Sequence, residues 1–155
     1  MTTAAAPVDS YPMPSFTTLV VADIAASDRF YCEALGFVRV IAMPGPGGIP
    51  ALVHVRWRRY ADLLLFPDRE GTLAGKVKGV GFALNFMADD VVALAARARE
   101  HGVPIVEGPI DRPWNACQLT IDDPDGYRLV FNGPPQGAAR RTMDEILESA
   151  AKGFA

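Results

Sequence analysis

Cysteine and histidine are scarce in this chain, which has two of each among its 155 residues. The cysteines, Cys32 and Cys117, lie far apart and form no CxxC spacing. Such a pattern indicates neither a disulfide framework nor a thiolate zinc site. Cys32 falls in a predicted helix, where we interpret it as a buried free thiol.

Long apolar runs and blocks of like charge are also missing. No stretch approaches the roughly 20 apolar residues of a membrane span, and the N-terminal segment lacks the basic start and apolar core of a signal peptide. The formal net charge is -3, and the basic residues are scattered apart from short groups at 56–59 and 140–141. Nothing resembles a phosphate-binding stripe. We therefore expect a cytoplasmic protein that binds neither nucleic acid nor membranes.

The overall composition is that of a folded protein. Half of the residues are hydrophobic and 21% are charged, which is ordinary for globular domains and unlike the low-hydropathy profile of disorder. A chain of this length buries about two-thirds of its unfolded surface, either as one domain or as two small units sharing a core. We predict a self-sufficient α+β protein.

The first half of the chain begins with a strand that leads into an acid-capped helix. The strand FTTLVVA is β-branched and aromatic, and Asp23 is well suited to cap the helix that follows. Apolar residues recur at helical spacing from Ile24 to Leu35, and Gly36 ends the helix. The strand FVRVIAM, the proline- and glycine-rich loop at 44–50, and the strands ALVHVRW and ADLLLFP complete a βαβββ module at 16–67.

The second half repeats this order, which predicts a second module at 78–132. The strand VGFALNFMA precedes a helix capped by Asp89 or Asp90 and ended by Gly102. A short strand at 103–106, a loop with Pro109 and Pro113, a strand at 117–121, the turn DDPDG and the strand YRLVF follow.

Two further segments flank the modules. Residues 1–15 are predicted to form a flexible arm, and the linker at 133–137 precedes a predicted helix at 138–153. One face of that helix carries the apolar stripe Met143, Ile146, Leu147 and Ala150. The stripe packs either on the body of the protein or on a second chain.

With both halves laid out, the chain resembles the vicinal oxygen chelate superfamily, also called the glyoxalase, bleomycin resistance and extradiol dioxygenase group. The resemblance covers residues 16–132 and rests on LVVADIAASDRFYCEALGF, ADDVVALAARAREHGV and DPDGYRLVF. It implies two βαβββ modules whose curved mixed sheets enclose a cavity. It also implies homodimers, some of which exchange the N-terminal strand.

Metal-dependent members of that superfamily place one ligand on the first and one on the fourth strand of each module. The matching positions here are Phe16, Leu64, Ala83 and Val130. Their hydrocarbon side chains offer no lone pair, whereas a divalent cation needs nitrogen or oxygen donors. We therefore expect a protein without a bound metal or other cofactor.

Strand alternation predicts which side chains line the cavity. The predicted ligand-binding residues are Phe16, Thr18, Leu64, Phe66, Ala83, Asn85, Met87, Arg128 and Val130, with Trp57 and Trp114 near the rim. This wall is apolar with a few polar points, as in a general small-molecule site. The aromatic residues, Tyr60 among them, either stack on a ligand or fill the core.

His54 is the candidate for acid–base chemistry because its ordinary pKa lies near neutrality. Its direction depends on the hairpin turn. A two-residue turn pairs Val53 with Leu64 and points His54 toward the helix, whereas a three-residue turn places His54 beside Leu64 in the cavity. Arg128 and Asp62 either orient a ligand or are solvated surface charges.

These observations lead to three hypotheses. The first is a binding protein that sequesters a small hydrophobic or aromatic compound, as the antibiotic-resistance members of the superfamily do without a metal. The second is an enzyme: a lyase, isomerase or dioxygenase-like relative that uses His54 or a metal bound elsewhere. The third is a structural or regulatory partner without a ligand. Fold-level likeness alone does not separate them.

Overall fold

The computed structural model describes residues 9–137 and 140–152. The chain divides into two compact units, Met1–Ala74 and Gly75–Ala155. Each unit carries one four-stranded sheet, which confirms the predicted α+β class and its two modules. Among the residues that the structure describes, no helix has the length and apolar character needed to span a bilayer.

The sheet of the first unit has the strand order β1-β4-β3-β2. β1 runs parallel to β4, and the other neighbours are antiparallel. The helix between β1 and β2 begins as α-helix and continues as a π-helical segment. The bounds are β1 (Thr17–Val21), α1 (Ile24–Arg29, continuing as π-helix over Phe30–Ala34), β2 (Val38–Met43), β3 (Leu52–Arg58) and β4 (Ala61–Pro67).

The predicted cap of α1 is confirmed, because the Asp23 carboxylate accepts hydrogen bonds from the backbone N–H groups of Ala25 and Ala26, both at 3.0 Å. The predicted helix to Leu35 is only partly α-helical. Leu35 N–H instead donates to the Phe30 carbonyl at 3.1 Å, five residues back, as in a π-turn. Within the loop predicted at 44–50, Pro46–Gly48 forms one turn of 3₁₀-helix.

Burial alternates along the strands of the first unit and defines two faces of the sheet. The face toward α1 is its core: Leu19, Val21, Val53, Val55, Leu63 and Leu65 are each at most 2% exposed. The opposite face, which we call the first open face, carries Thr18, Val20, His54, Arg56, Asp62, Leu64 and Phe66. Residues paired across neighbouring strands share a face, so the register decides which side chains meet there.

The second unit repeats the arrangement, with the strand order β5-β8-β7-β6 and an N-terminal cap in which Asp90 accepts from Ala93 N–H at 2.8 Å. Its core includes Phe86 stacked on Phe131, with ring centroids 5.4 Å apart, and the buried thiol of Cys117. The second open face is the side of this sheet opposite that core. The bounds are β5 (Leu84–Met87), α2 (Val91–Glu100), β6 (Ile105–Arg112), β7 (Ala116–Asp122) and β8 (Arg128–Gly133).

The loop predicted around Pro109 is wrong, because β6 runs through this residue to Arg112. β6 is the edge strand of its sheet, and the register shifts between Glu107 and Ile110. Proline lacks a backbone N–H, and an edge strand or a bulge is where a sheet accommodates that loss. The strand predicted at 80–88 is also shorter, since β5 begins at Leu84.

The third helix, α3, spans Met143–Ala151 and begins with a capping box formed by Thr142 and Glu145. The predicted helix at 138–153 is therefore shorter at its start, and residues 138, 139 and 153 lie outside the described residues. No residue of α3 is buried, and the stripe residues Met143 and Leu147 are 68% and 59% exposed. A contact of this stripe with a second chain stays a prediction.

Candidate functional site

The register of β3 and β4 decides the direction of His54. His54 lies opposite Leu64, and Arg56 lies opposite Asp62. An irregularity between Arg56 and Arg58 shifts the pairing next to the turn. Of the two predicted alternatives, the structure therefore has His54 beside Leu64, on the first open face.

A buried carboxylate stands at the centre of this face. Asp62 accepts hydrogen bonds from the Tyr11 hydroxyl at 2.7 Å, Arg56 Nε at 2.6 Å and His54 Nε2 at 2.7 Å. The Asp62 side chain is fully buried, and those of His54 and Arg56 are each 10% exposed. A buried charge is tolerated when it is paired and hydrogen-bonded in this way. We call these four residues the Asp62 cluster.

The hydrogen bonds also hold Asp62 in its charged form. Burial by itself raises the pKa of a carboxyl, but the bonds from Tyr11, Arg56 and His54 outweigh it and lower the pKa of Asp62 below its ordinary value. Asp62 accordingly acts as an acceptor for all three neighbours. Since a carboxylate only accepts, His54 presents its Nε2–H to Asp62.

Tyr11 reaches the cluster from the N-terminal arm. Its hydroxyl donates to Asp62 and accepts from the backbone N–H of Tyr60, with both distances 2.7 Å. The guanidinium groups of Arg56 and Arg59 lie 4.2 Å and 5.1 Å from the centroid of its ring. The Tyr60 ring meets it edge-on at 4.9 Å. Aromatic and cation–π contacts of this kind favour a flat, electron-rich ring at this place.

A cavity of about 320 Å³ opens beside the Tyr11 ring. Its walls are Asp9, Tyr11, Val38, Arg56, Trp57, Arg58 and Arg59. The wall thus combines three arginines with aromatic rings. It adjoins the Asp62 cluster through Tyr11 and Arg56.

The other predicted residues of the first unit fall in two places. Thr18 lies opposite Leu64 on the first open face, and Phe66, on the same face, is 37% exposed. Phe16 precedes β1 and is 49% exposed. Trp57 differs, because its ring lies 5.2 Å from that of the buried Phe37. Trp57 therefore packs partly against the core and also lines the cavity beside Tyr11.

Three amide side chains, extended by Arg112, form a hydrogen-bonded chain across the second open face. Asn132 Nδ2 donates to Asn85 Oδ1 at 3.3 Å, and Gln118 Nε2 donates to Asn132 Oδ1 at 2.7 Å. Arg112 Nε then donates to Gln118 Oε1 at 2.9 Å, and Arg112 also pairs with Glu107. Because these residues belong to four different strands, the chain crosses the whole sheet. We call it the amide chain.

The remaining predicted residues of the second unit lie around the amide chain or at the sheet ends. Val130 pairs with Asn85, and Met87 is 65% exposed. Arg128 forms two bonds with Asp122, at 2.8 Å and 2.9 Å, and this partner lowers the pKa of the Asp122 carboxyl. Ala83 lines a cavity of about 630 Å³ together with that pair. Trp114, in the turn after β6, is 43% exposed.

Sequence reasoning missed several of the polar residues that the structure brings together. It named His54, Asp62 and Asn85 but not Tyr11 or Arg56. Alternation along β3 places Arg56 on the face of His54, so this signal was present in the sequence. The arm offers no comparable signal, because its contact with Asp62 spans 51 residues.

The positions predicted from the resemblance to match the superfamily's metal ligands do not fit a metal. Phe16, Leu64, Ala83 and Val130 offer only hydrocarbon, which provides no donor to a cation. Within 9–137 and 140–152, no group of three or more His, Cys, Asp or Glu side chains is arranged to hold a metal ion. The polar groups of both open faces bind one another instead.

Comparisons with known proteins agree with this architecture. TnmS3, an antibiotic binding protein from Streptomyces sp. CB03234, is 28% identical, with a TM-score of 0.61 and coverage of 82% of this chain and 98% of that one. A glyoxalase/bleomycin resistance protein from the same strain is also 28% identical, with a TM-score of 0.59 and coverage of 76% and 96%. An uncharacterized protein of Mycobacterium tuberculosis is 27% identical over 135 residues, which are 83% of this chain and 76% of that protein.

The family comparison covers most of the chain. The model described as Glyoxalase/Bleomycin resistance protein/Dioxygenase superfamily matches residues 14–131. That range contains both sheets apart from the end of β8, both capped helices and the Asp62 cluster apart from Tyr11. The chain belongs to the glyoxalase/bleomycin resistance protein/dioxygenase superfamily.

Proposed function

We propose that this protein binds a small, planar, hydrophobic or aromatic molecule on its open sheet faces without using a metal. The observation that carries the proposal is the composition of these faces. Apolar side chains such as Leu64, Phe66 and Met87 lie beside fixed polar groups, the Asp62 cluster and the amide chain. Small-molecule sites combine an apolar wall with a few oriented polar groups in this way.

Two further observations support binding of this kind. The four positions that hold ligands to a metal in metal-dependent relatives are hydrocarbon here. TnmS3, which is described as an antibiotic binding protein, is similar over 82% of the chain. A planar antibiotic is therefore the first ligand class to test.

The test is a titration of the purified protein with a panel of planar aromatic antibiotics. Tryptophan fluorescence is the readout of binding. Trp57 and Trp114 are the two tryptophans, so binding near either ring quenches the emission. Phe66→Ala removes apolar surface from the first open face and should weaken binding of a quenching compound. The matched control is Val92→Ala, since Val92 is a similarly exposed apolar residue on α2. No quenching by any compound, or equal effects of the two variants, would contradict the proposal.

His54 favours an enzymatic activity as the second candidate function. A histidine oriented by a carboxylate is a common arrangement for general acid–base catalysis, and His54 Nε2 lies 2.7 Å from Asp62 Oδ1. The reaction class would be a lyase or isomerase. Mass spectrometry of each bound compound after incubation decides this point. Quantitative recovery of unchanged compound argues for binding alone, whereas a product that His54→Gln fails to form argues for catalysis.

We also propose that the protein is a homodimer, because Met143 and Leu147 in the apolar stripe of α3 are exposed and apolar patches rimmed by polar residues mark interaction sites. Light scattering measures the mass directly. Leu147→Glu should convert a dimer into a monomer if the stripe forms the interface. A monomeric wild-type protein would contradict this proposal.

A further inference from the structure

The Tyr11 side chain is bound as a ligand would be. Its ring contacts two guanidinium groups and the Tyr60 ring, and its hydroxyl ends at the buried Asp62 carboxylate. The walls of this site come from the β3–β4 hairpin, whereas its occupant comes from the arm, 51 residues away from Asp62. The occupant and the site are thus separable parts of the chain.

The site recognises a hydroxyl group through two fixed partners. Asp62 accepts the hydroxyl proton, and the backbone N–H of Tyr60 donates to the hydroxyl oxygen, each at 2.7 Å. Tyr60 has a positive φ of 67°, which belongs to the tight turn that aims its N–H at this point. A methyl ether satisfies the N–H but not the carboxylate, and a plain hydrocarbon satisfies neither. Leaving Oδ2 of the buried Asp62 carboxylate or the N–H group of Tyr60 without a partner is costly, so the site discriminates for a free hydroxyl.

Within residues 9–15, the part of the arm that the structure describes, Asp9 adds contacts to those of Tyr11. Arg56 donates from its terminal nitrogen to the Asp9 carbonyl at 2.7 Å. The ion pair between Arg59 and Asp9 spans 3.3 Å, with side chains 60% and 71% exposed, and exposed pairs of this type contribute little. Pro12, which follows Tyr11, is exposed. Release of residues 9–15 therefore breaks the Tyr11 contacts and the bond from Arg56 to the Asp9 carbonyl.

From this geometry we propose that the rest of the Asp62 cluster, together with the turn at Tyr60, is a binding site for phenolic aromatic compounds, and that Tyr11 occupies it as a displaceable internal ligand. The inference rests on the proposed function and names the ligand class: a flat aromatic molecule with a free hydroxyl. The ligand takes over both hydrogen bonds of the Tyr11 hydroxyl and the contacts with Arg56 and Arg59. The tethered Tyr11 competes with it at high effective concentration.

The experiment measures binding of β-naphthol, a fluorescent phenol, and of its methyl ether, which has the same rings without the donor. Tyr11→Ala removes the competitor, and we expect it to strengthen β-naphthol binding by about tenfold or more, in keeping with a tethered competitor. The methyl ether should bind weakly to both proteins. The matched control is Met13→Ala, a change in the same arm beyond the cluster, which should leave β-naphthol binding unchanged.

A second variant tests the carboxylate. Asp62→Asn in the Tyr11→Ala background keeps the size of the side chain and should remove most of the gained affinity. Should this variant fail to unfold cooperatively, fluorotyrosine labelling of the wild-type protein replaces it. The chain has four tyrosines, so the Tyr11 signal is assigned with Tyr11→Phe. β-Naphthol should move that signal to the position of a solvent-exposed tyrosine, and the methyl ether should not.

Three outcomes would overturn the inference: β-naphthol binding that Tyr11→Ala weakens or leaves unchanged, equal affinity for the methyl ether, or a Tyr11 signal that stays in place at saturation. These results are separable from failure of the proposed function. Antibiotics that quench tryptophan, together with β-naphthol that leaves the Tyr11 signal in place, would support ligand binding on an open face and reject the phenol site. If no antibiotic of the panel quenches tryptophan fluorescence but β-naphthol displaces Tyr11, the phenol site is supported and antibiotics are rejected as the ligand class.

Discussion

The two sheets share a topology but carry different chemistry on their open faces. On the first, the buried charge of Asp62 binds a tyrosine from the arm, an arginine and a histidine. On the second, neutral amides of Asn85, Asn132 and Gln118 form a hydrogen-bonded chain. The core faces are alike, with leucine, valine, isoleucine and phenylalanine buried in both units. The comparison shows that packing against the helix constrains one face of each module and leaves the other free to differ.

The largest expected effect comes from removing the charge at the centre of the first open face. Asp62→Ala leaves the buried Arg56 guanidinium without its partner, and breaking a buried pair costs about 3 to 5 kcal/mol in the free energy of unfolding. Chemical denaturation measures the loss. Asp122→Ala is the matched control on the second unit, because the pair of Asp122 with Arg128 lies at the surface and its loss should have little effect. Equal losses of unfolding free energy in both variants would contradict the proposed difference between the two open faces.

Two adjacent leucines in β4 test how the core face and the open face differ in their contribution to stability. Leu63 is 2% exposed and faces α1, whereas Leu64 lies on the first open face. Leu63→Ala should cost about 2 to 5 kcal/mol of unfolding free energy, because it leaves a cavity in a packed core. Leu64→Ala should cost clearly less and should weaken ligand binding instead. A larger stability loss for Leu64→Ala than for Leu63→Ala would contradict the assigned faces.

Acid should weaken the first unit through Asp62. Its pKa in the folded protein lies below the ordinary value of 3.8, so its contribution to stability is present above that value and is lost as the pH falls through the folded pKa. The stability advantage of the wild-type protein over Asp62→Asn should therefore be constant near neutral pH and shrink below about pH 4. Denaturation series of both proteins at several pH values measure this difference. An advantage that is independent of pH would show that the charge of Asp62 is not what stabilises the cluster.

The smallest expected effect concerns the amide chain. Gln118→Ala removes a neutral bond with Asn132, which contributes about 1 kcal/mol, and a charge-assisted bond from Arg112, which contributes more. Because these groups are half-buried, water replaces part of the loss, and thermal unfolding should shift only modestly. Gln136→Ala is the control, because it changes an exposed glutamine that does not belong to the amide chain. If Gln118→Ala destabilises the protein as much as Asp62→Ala does, the polar groups of the two open faces contribute equally to stability.

Much of the fold was predictable from local signals. Asp23 and Asp90 cap their helices as predicted, and Gly36 and Gly102 have positive φ values of 87° and 71° after the helix ends. These features depend on residues close together in the chain, where a capping side chain and its backbone partner are two or three positions apart. The predicted loop at Pro109 failed, because the sequence does not reveal that β6 lies at a sheet edge.

The candidate site was predictable only in part. Thr18, Leu64, Phe66 and Asn85 share open faces because alternation along a strand is a local property. The direction of His54 was not decided, since an irregularity of one residue between Arg56 and Arg58 moves a side chain to the other face. Such irregularities depend on the pairing partner as well as on the strand itself.

By itself, the amino-acid sequence determined the two repeated modules, their capped helices and the hydrocarbon side chains at the four positions that match metal ligands of the superfamily. Only the tertiary structure decided that the Tyr11 hydroxyl binds Asp62, that His54 lies on the same face, and that the amide side chains of the second sheet bind one another. The reason is physical. Caps and alternation follow from bonds between near neighbours, whereas the Asp62 cluster and the amide chain join residues from separate strands and from the arm, which meet only when the chain has folded.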